Sequence, residues 1–228
     1  MKKLSVLLGI ALLVLMAFGN AQATLYDRGG GLIYDSYLDI TWLSDANYAD
    51  TTGYDDLIYG GDTGGLMAWD YAMAWATNLS YGGFQNWRLP SALNPDGSGP
   101  CNGFNCPDSE MGHLFYVDLG LTAWQHISDA TDPDINLFSG LHDYLYWTKD
   151  LRFPEPGGAV WVMDFWDGQQ TAATTNTWSY AWAVHDGDVG PIPEPATCLL
   201  VGSGLIGLAG LRRLWRGFPW FSHLYANS

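Results

Sequence analysis

The alternation of apolar and polar positions predicts strands near the start of the central part of the chain. Residues 32–34 and 40–43 are rich in β-forming side chains, and the stretch 35–37 between them is typical of a turn. The two segments are therefore expected to pair as a hairpin. Residues 51–65, which are rich in Gly, Asp and Thr, are expected to form a loop.

Two segments show the spacing of amphipathic helices. In residues 67–79 the apolar side chains recur every three or four positions, at Trp69, Ala72, Met73, Ala76 and Leu79. Gly82 follows the end of this pattern. A second helix is expected to begin at Asp108 or Ser109, either of which can cap it, and to end before Gly120. Its apolar positions are Met111, Leu114, Phe115 and Leu119.

The second half of the chain adds further predicted strands. Residues 145–148 and 159–165 are mainly apolar, and residues 180–184 alternate large with small side chains, as a half-buried strand does. Residues 92–107 and 121–143 are expected to be mainly loop. This order predicts an α+β fold, in which two helices pack on short antiparallel sheets within a single domain over residues 24–190.

The N-terminal end has the parts of a secretory signal peptide at residues 1–23. Lys2 and Lys3 precede an apolar run over residues 4–18, and Ala21-Gln22-Ala23 provides a cleavage site of the Ala-x-Ala type. Cleavage after Ala23 would expose Thr24. The alternative is an N-terminal membrane anchor, for which the apolar run is shorter than the roughly 20 residues that a span prefers.

The C-terminal end combines a rigid motif, an apolar segment and a basic cluster. Pro193-Glu194-Pro195 is held extended by its prolines, residues 196–211 are mainly apolar with regularly spaced glycines, and Arg212 and Arg213 follow at once. As a helix, the apolar segment would reach about 24 Å, which is a marginal membrane span. A plain anchor helix is the alternative to a temporary one.

This three-part order resembles the PEP-CTERM sorting signal of Gram-negative bacteria, over residues 191–216. The resemblance implies that an exosortase, a membrane cysteine protease, recognises the tail after export. The protein would then be anchored in the inner membrane for a time, only through this helix, before reaching the cell surface or the extracellular matrix. It also implies a connection with exopolysaccharide and biofilm. Residues 217–228 form an additional tail beyond the basic cluster.

The charge of residues 24–190, which we call the body, excludes one class of partner. The body holds 23 acidic side chains and four cationic ones, namely Arg28, Arg88, Lys149 and Arg152. A nucleic-acid-binding surface needs clustered cations for the phosphates, so no nucleic-acid partner is expected. The body is nevertheless rich in aromatic side chains, which is typical of a folded domain rather than a disordered one.

The body also resembles the Lcl C-terminal domain family. The resemblance runs from Trp69 through Trp87-Arg88-Leu89-Pro90-Ser91, and continues in order at Glu110 and at residues 146–148, 159–164 and 181–184. It implies a C-type lectin-like fold and a role outside the cell, as some members are surface adhesins that bind glycans. The Trp87–Pro90 motif invites a ligand-binding interpretation, but we expect it to be structural, with Arg88 in an ion pair with Glu110.

Cysteines and aspartates supply the other candidate sites. Cys101 and Cys106 lie five positions apart in a loop, and in an oxidising compartment we expect them to form a disulfide. Asp129, Asp132 and Asp134 fall within six positions, which makes them candidate ligands for Ca²⁺. No EF-hand pattern accompanies these aspartates, and the alternative is that they form turns and keep the surface soluble.

The sequence favours a binding protein over an enzyme. The histidines show no metal-protease spacing, and nucleophile-elbow and P-loop motifs are absent from the sequence. Trp124, Trp166 and Trp178 are flanked by loop residues and are candidates for stacking on sugar rings. The leading hypothesis is a non-enzymatic, exported protein that binds extracellular polysaccharide or matrix, with no required cofactor. The alternatives are a purely structural matrix protein and a polysaccharide hydrolase.

Overall fold

A computed structural model of the protein describes residues 25–153 and 158–190. The described residues all belong to one compact unit. The predicted signal peptide at residues 1–23, the sorting signal at 191–216 and the tail at 217–228 all lie outside the described residues. Within the described residues, no helix has the length and apolar character needed to cross a membrane.

The first sheet has four antiparallel strands in the order β1-β2-β3-β7. Its strands are β1 (Leu25–Gly29), β2 (Leu32–Asp35), β3 (Ile40–Leu43) and β7 (Val184–Asp186). The predicted hairpin is confirmed as β2 and β3, in which Leu32 pairs with Leu43. The strand β1 was not predicted, because its exposed polar residues lack the alternation that identified β2 and β3.

The second sheet has three antiparallel strands in the order β4-β5-β6. Its strands are β4 (Leu145–Phe153), β5 (Ala159–Asp164) and β6 (Gln169–Thr174). The strands expected at residues 145–148 and 159–165 are confirmed. The edge strand β6 was not predicted, because Gln, Thr and Ala give it neither a run of apolar residues nor strict alternation.

The strand predicted over residues 180–184 is wrong for most of its length, since only Val184 belongs to a strand. The backbone of this segment bonds to both sheets in turn: the Tyr180 N–H donates to the carbonyl of Leu145, and the Leu43 N–H donates to the carbonyl of Ala183. The segment therefore joins the two sheets and is buried on all sides. Its alternation of large and small side chains fits the space between the sheets.

The helices are short, and all of them lie between β3 and β4 in sequence. They are α1 (Tyr48–Thr51), α2 (Tyr54–Tyr59), α3 (Trp69–Asn78) and α4 (Glu110–His113), which continues as a π-helical turn over Leu114–Asp118. The two predicted helices are confirmed as α3 and α4, and Ser109 caps α4 by accepting from the Gly112 N–H. The loop expected at residues 51–65 is wrong in part, because it contains α2. The mixture of helices and antiparallel sheets makes the fold α+β.

Buried tryptophans fill the core between the sheets. Trp42, Trp147 and Trp182 are completely buried, and the rings of Trp42 and Trp182 lie 4.6 Å apart. The indole N–H of Trp147 donates to the carbonyl of Met67, and that of Trp182 donates to the carbonyl of Leu43. These hydrogen bonds satisfy indole donors that would be costly to bury unpaired.

Candidate functional site: an aromatic face beside the disulfide loop

The three tryptophans that were candidates for sugar stacking are all exposed. Trp124 has 71% of its surface accessible, Trp166 has 57% and Trp178 has 44%. Every other tryptophan of the described residues is buried or only partly accessible. Exposing large aromatic rings sacrifices burial energy, so such rings are candidates for ligand contacts.

Backbone hydrogen bonds hold the segment that carries Trp124 beside the segment that carries Trp166. The Trp124 N–H donates to the carbonyl of Asp167 at 2.8 Å, and the Ile127 N–H donates to the carbonyl of Phe165 at 2.8 Å. The segment that carries Trp124 therefore runs beside the turn that joins β5 to β6. Trp124 has φ of +73°, a conformation that side chains other than Gly rarely adopt.

Two partly buried rings extend this surface. Phe104 packs against Trp124 with 4.2 Å between ring centroids, and His126 packs edge-on against Trp166 at 4.1 Å. We call Phe104, Trp124, His126 and Trp166 the aromatic face. Each exposed indole is thus supported by a second ring, which restricts its rotation and provides a preformed apolar contact surface.

The disulfide loop positions Phe104. Cys101 and Cys106 form the predicted disulfide, with Cα atoms 5.6 Å apart. Between them, Gly103 exchanges two backbone hydrogen bonds with Gln170 of β6, both at 2.8 Å. The Gln170 side chain also donates to the carbonyl of Cys101. The loop is therefore fastened to the edge of the second sheet, next to the turn that carries Trp166.

Trp178 belongs to a different aromatic group. Its ring lies 4.8 Å from that of Tyr59, which in turn contacts Tyr71 edge-on at 5.6 Å. This group connects α2 with α3 and with the loop after β6. Trp178 therefore has a local packing partner and serves as a natural comparison for the aromatic face.

The Trp87–Pro90 motif is the centre of an ion-pair network. Arg88 donates two hydrogen bonds to Glu110, at 2.8 and 2.7 Å, and also bonds Asp186 at 2.9 and 2.6 Å. We call Arg88, Glu110 and Asp186 the arginine network, and it includes the ion pair expected between Arg88 and Glu110. Burial alone would lower the pKa of Arg88, but hydrogen bonds and charges from Glu110 and Asp186 raise it, so the guanidinium stays charged.

A polar cleft of about 600 Å³ opens beside the arginine network. Its lining includes Asp39, Ser91, Asn94 and Lys149, together with the network itself. Glu110 also accepts from the Ser91 N–H at 2.7 Å. Both of its carboxylate oxygens therefore already have donors from the protein. The cleft contains no exposed aromatic ring among its lining residues.

The structure does not bring Asp129, Asp132 and Asp134 together as metal ligands. Asp129 accepts from the backbone N–H of His126, and Asp132 accepts from the N–H of Asp134. Each of these two carboxylates therefore caps a short 3-10 turn, over Ile127–Asp129 and Pro133–Leu137 respectively. Among the described residues, these three aspartates do not form a group whose oxygens all lie within 4.8 Å of one another.

A different set of carboxylates lies close together among the described residues. Oxygens of Asp50, Asp55 and Asp62 all lie within 4.8 Å of one another, and we call these residues the aspartate cluster. The aspartate cluster was not predicted because its members are spread over thirteen positions and two of them, Asp55 and Asp62, lie in a segment expected to be loop. The Gly and Asp content of residues 51–65 was the available signal.

A buried acid, Asp118, ends the π-helical turn that continues α4. Asp118 has both carboxylate oxygens buried without a hydrogen-bond donor, and one lies 4.0 Å from Nε2 of His113. Burial, followed by the charges of Asp35, Asp134 and Asp132, raises the pKa of Asp118 to about 8. Burial lowers the pKa of His113. Asp118 is therefore protonated and His113 neutral at pH 7.

Comparison with known proteins identifies one segment of the chain. Residues 191–213 match the sequence model of the PEP-CTERM protein-sorting motif. Neither the search of curated proteins nor that of solved structures found a match to this chain. The motif implies that the protein is exported and sorted by an exosortase, and it coincides with the Pro-Glu-Pro motif and arginine cluster at residues 193–195 and 212–213.

Proposed function

We propose that the protein binds polysaccharide of the extracellular matrix through the aromatic face, without catalysing its cleavage. The observation that carries this proposal is the pair of exposed tryptophans, Trp124 and Trp166, each packed on a supporting ring. Flat aromatic rings bind the apolar faces of sugars by dispersion contacts. The sorting motif supports a role outside the cell, where such polysaccharides occur.

The charge of the body narrows the class of ligand. With 23 acidic and four cationic side chains in residues 24–190, a polyanionic glycan would be repelled. The four cations are moreover engaged with neighbours: Arg28 pairs with Asp188, Arg88 lies in the arginine network, Lys149 contacts Asp150, and Arg152 lies over Trp161. A neutral polysaccharide is therefore the ligand class that we propose.

The carboxylates of the cleft support the non-enzymatic part of the proposal. A glycoside hydrolase uses two carboxyl groups, one of them protonated to act as the acid. In the cleft, Glu110 and Asp186 both accept hydrogen bonds from the guanidinium of Arg88. Neither of them is placed as a proton donor.

The C-type lectin-like fold that the sequence resemblance implies is part of the same proposal. Arg88 and Val184 exchange two backbone hydrogen bonds, and Glu110 binds the Arg88 side chain. Three separate segments of the resemblance therefore meet at one place. An experimental structure of the body should superpose on C-type lectin domains over both sheets, and failure to do so would remove this part of the proposal.

The binding proposal predicts that the aromatic face is needed for polysaccharide binding. Replacing Trp124 or Trp166 with Ala in the full chain should weaken binding about tenfold, or about 1.4 kcal/mol, because each removes a stacking surface. Binding is measured by co-sedimentation with neutral polysaccharide extracted from the matrix of the producing cells.

Trp178→Ala is the matched control, since it removes an exposed indole from the other aromatic group. It should bind as the unchanged chain does. Equal affinity in all four proteins, or equal loss in all three variants, would contradict the proposal. Release of soluble sugars by the unchanged protein would contradict its non-enzymatic part.

A further inference from the structure

The loops around the aspartate cluster hold its side chains in fixed positions. The Asp55 Oδ2 accepts from the Gly65 N–H at 2.9 Å and from the Thr63 hydroxyl at 2.8 Å. Asp62 accepts from the Gly64 N–H at 2.8 Å. Asp50 accepts from the Asn47 amide nitrogen at 3.3 Å. The cluster is thus preorganised by α1, α2 and the loop that follows them.

Two oxygens at this place are buried and lack a donor among the described residues. Asp55 is completely buried and its Oδ1 has no partner, and Asn47 is 6% exposed and its Oδ1 has none either. The Asn47 nitrogen donates to the carbonyl of Gly64 as well as to Asp50, which fixes the orientation of the amide. Burying an oxygen without a partner is energetically costly, so both oxygens are suited to bind a cation or to accept from a donor.

The charge of the aspartate cluster has no cationic partner among the described residues. The four cationic side chains of residues 24–190 are engaged elsewhere, as described above.

We propose that Asp50, Asp55 and Asp62, with the side-chain oxygen of Asn47, form a binding site for one Ca²⁺ ion. Ca²⁺ prefers oxygen ligands at about 2.3–2.6 Å, so oxygens on opposite sides of the ion lie up to about 5 Å apart. The spacing of at most 4.8 Å in the aspartate cluster meets this requirement. Water completes the coordination on the side of Asp62, which is exposed.

The donor set favours Ca²⁺ over the other common divalent ions. It consists of carboxylate and amide oxygens, which are hard ligands, whereas Zn²⁺ favours Cys and His. Mg²⁺ demands near-ideal octahedral geometry and shorter bonds, and it usually keeps several waters and binds only one or two carboxylates. We expect an affinity near 10⁻⁴ M, about that of extracellular calcium modules.

The test uses the full chain purified in mild detergent and stripped of metal with a chelator. CaCl₂ at millimolar concentration should raise the midpoint of thermal unfolding, because an ion that binds only the folded state stabilises it. Isothermal titration should give one ion per chain. Asp50→Asn and Asp62→Asn should each weaken Ca²⁺ binding at least tenfold, since each removes a ligand charge.

The proposal also predicts how a variant behaves when no metal is present. In chelator, Asp50→Asn should unfold at a higher temperature than the unchanged chain, since it relieves repulsion within the aspartate cluster. This readout separates loss of a ligand from loss of folding. Asp55→Asn is avoided as the primary test, because its complete burial and three hydrogen bonds make it a structural residue as well.

Two substitutions serve as controls. Asp56→Asn removes the same charge from the first turn of α2 without removing a member of the aspartate cluster, and Asp134→Asn tests the site expected from sequence. Both should keep the calcium response. The proposal is overturned if the unchanged chain shows no shift, if MgCl₂ gives an equal shift, if Asp50→Asn and Asp62→Asn keep the response, or if either control loses it.

Discussion

Asp118 shows how strongly one buried side chain can couple stability to pH. The folded protein keeps this carboxyl protonated up to about pH 8, whereas the ordinary value, expected in the unfolded chain, is 3.8. Between these values the folded state binds more protons than the unfolded state, so this group's contribution to stability decreases as pH rises. The contribution is fully present below about pH 4 and is lost by about pH 8.

Replacing Asp118 with Asn should remove this dependence. Asn imitates the neutral acid, so the variant should be about as stable as the unchanged protein near pH 4 and more stable near pH 8. Urea unfolding at a series of pH values measures the difference. Burial lowers the pKa of His113 from 6.5, so below that pH the contribution of His113 to stability increases as pH rises. This contribution is present in both proteins, so the difference between their stabilities reports on Asp118.

Asp70→Asn is the control for this experiment, because Asp70 is exposed on α3. Its stability should run parallel to that of the unchanged protein across the whole pH range. A parallel curve for Asp118→Asn as well would show that the folded protein does not hold a proton on Asp118.

Residue-scale chemistry could be predicted from sequence only where the partners are close along the chain or belong to a motif. Cys101 and Cys106 met the first condition, and Arg88 with Glu110 met the second. The aspartate cluster met neither, because two short helices and a loop bring its members together. Asp129, Asp132 and Asp134 lie close in sequence, yet turn formation occupies two of these carboxylates.

At the scale of elements, the arginine network joins three separate parts of the fold. Arg88 lies after α3, Glu110 begins α4, and Asp186 ends β7. Arg88→Met should destabilise the protein by about 3 kcal/mol, because it leaves the mostly buried Glu110 without its partner. Chemical denaturation of the purified chain at neutral pH measures this loss.

Arg28→Met is the matched control, since Arg28 pairs with Asp188 where both side chains are well exposed, by 33% and 44%. A surface ion pair contributes little, so this variant should lose less than about 1 kcal/mol. If the two variants lose the same stability, the arginine network does not hold the elements together as described.

Sequence pattern predicted the elements that have an apolar run, helical spacing or a cap. β2 and β3 consist largely of buried residues, α3 buries one face, and the start of α4 is capped, so these elements were found. β6 was not predicted because it is an edge strand of small and polar residues. Residues 180–184 were assigned wrongly because alternation of side-chain size describes packing between two sheets as well as a half-buried strand.

At the scale of the whole molecule, an acidic body is combined with a sorting motif. Charge repulsion keeps such a body soluble, and it disfavours nucleic acids and polyanionic glycans as partners. We propose the aromatic face as a contact for neutral sugars and the aspartate cluster as a site for Ca²⁺. These two proposals can be tested separately.

The central claim is that the body acts outside the cytoplasm after its tail has been processed. Intact-mass spectrometry of the protein recovered from the matrix and medium of the producing cells tests it most directly. The account predicts a chain that begins at Thr24, lacks Arg212 and Arg213, and carries the Cys101–Cys106 disulfide. A chain that runs intact from Met1 to Ser228, with both thiols reduced and confined to the cytoplasm, would contradict it.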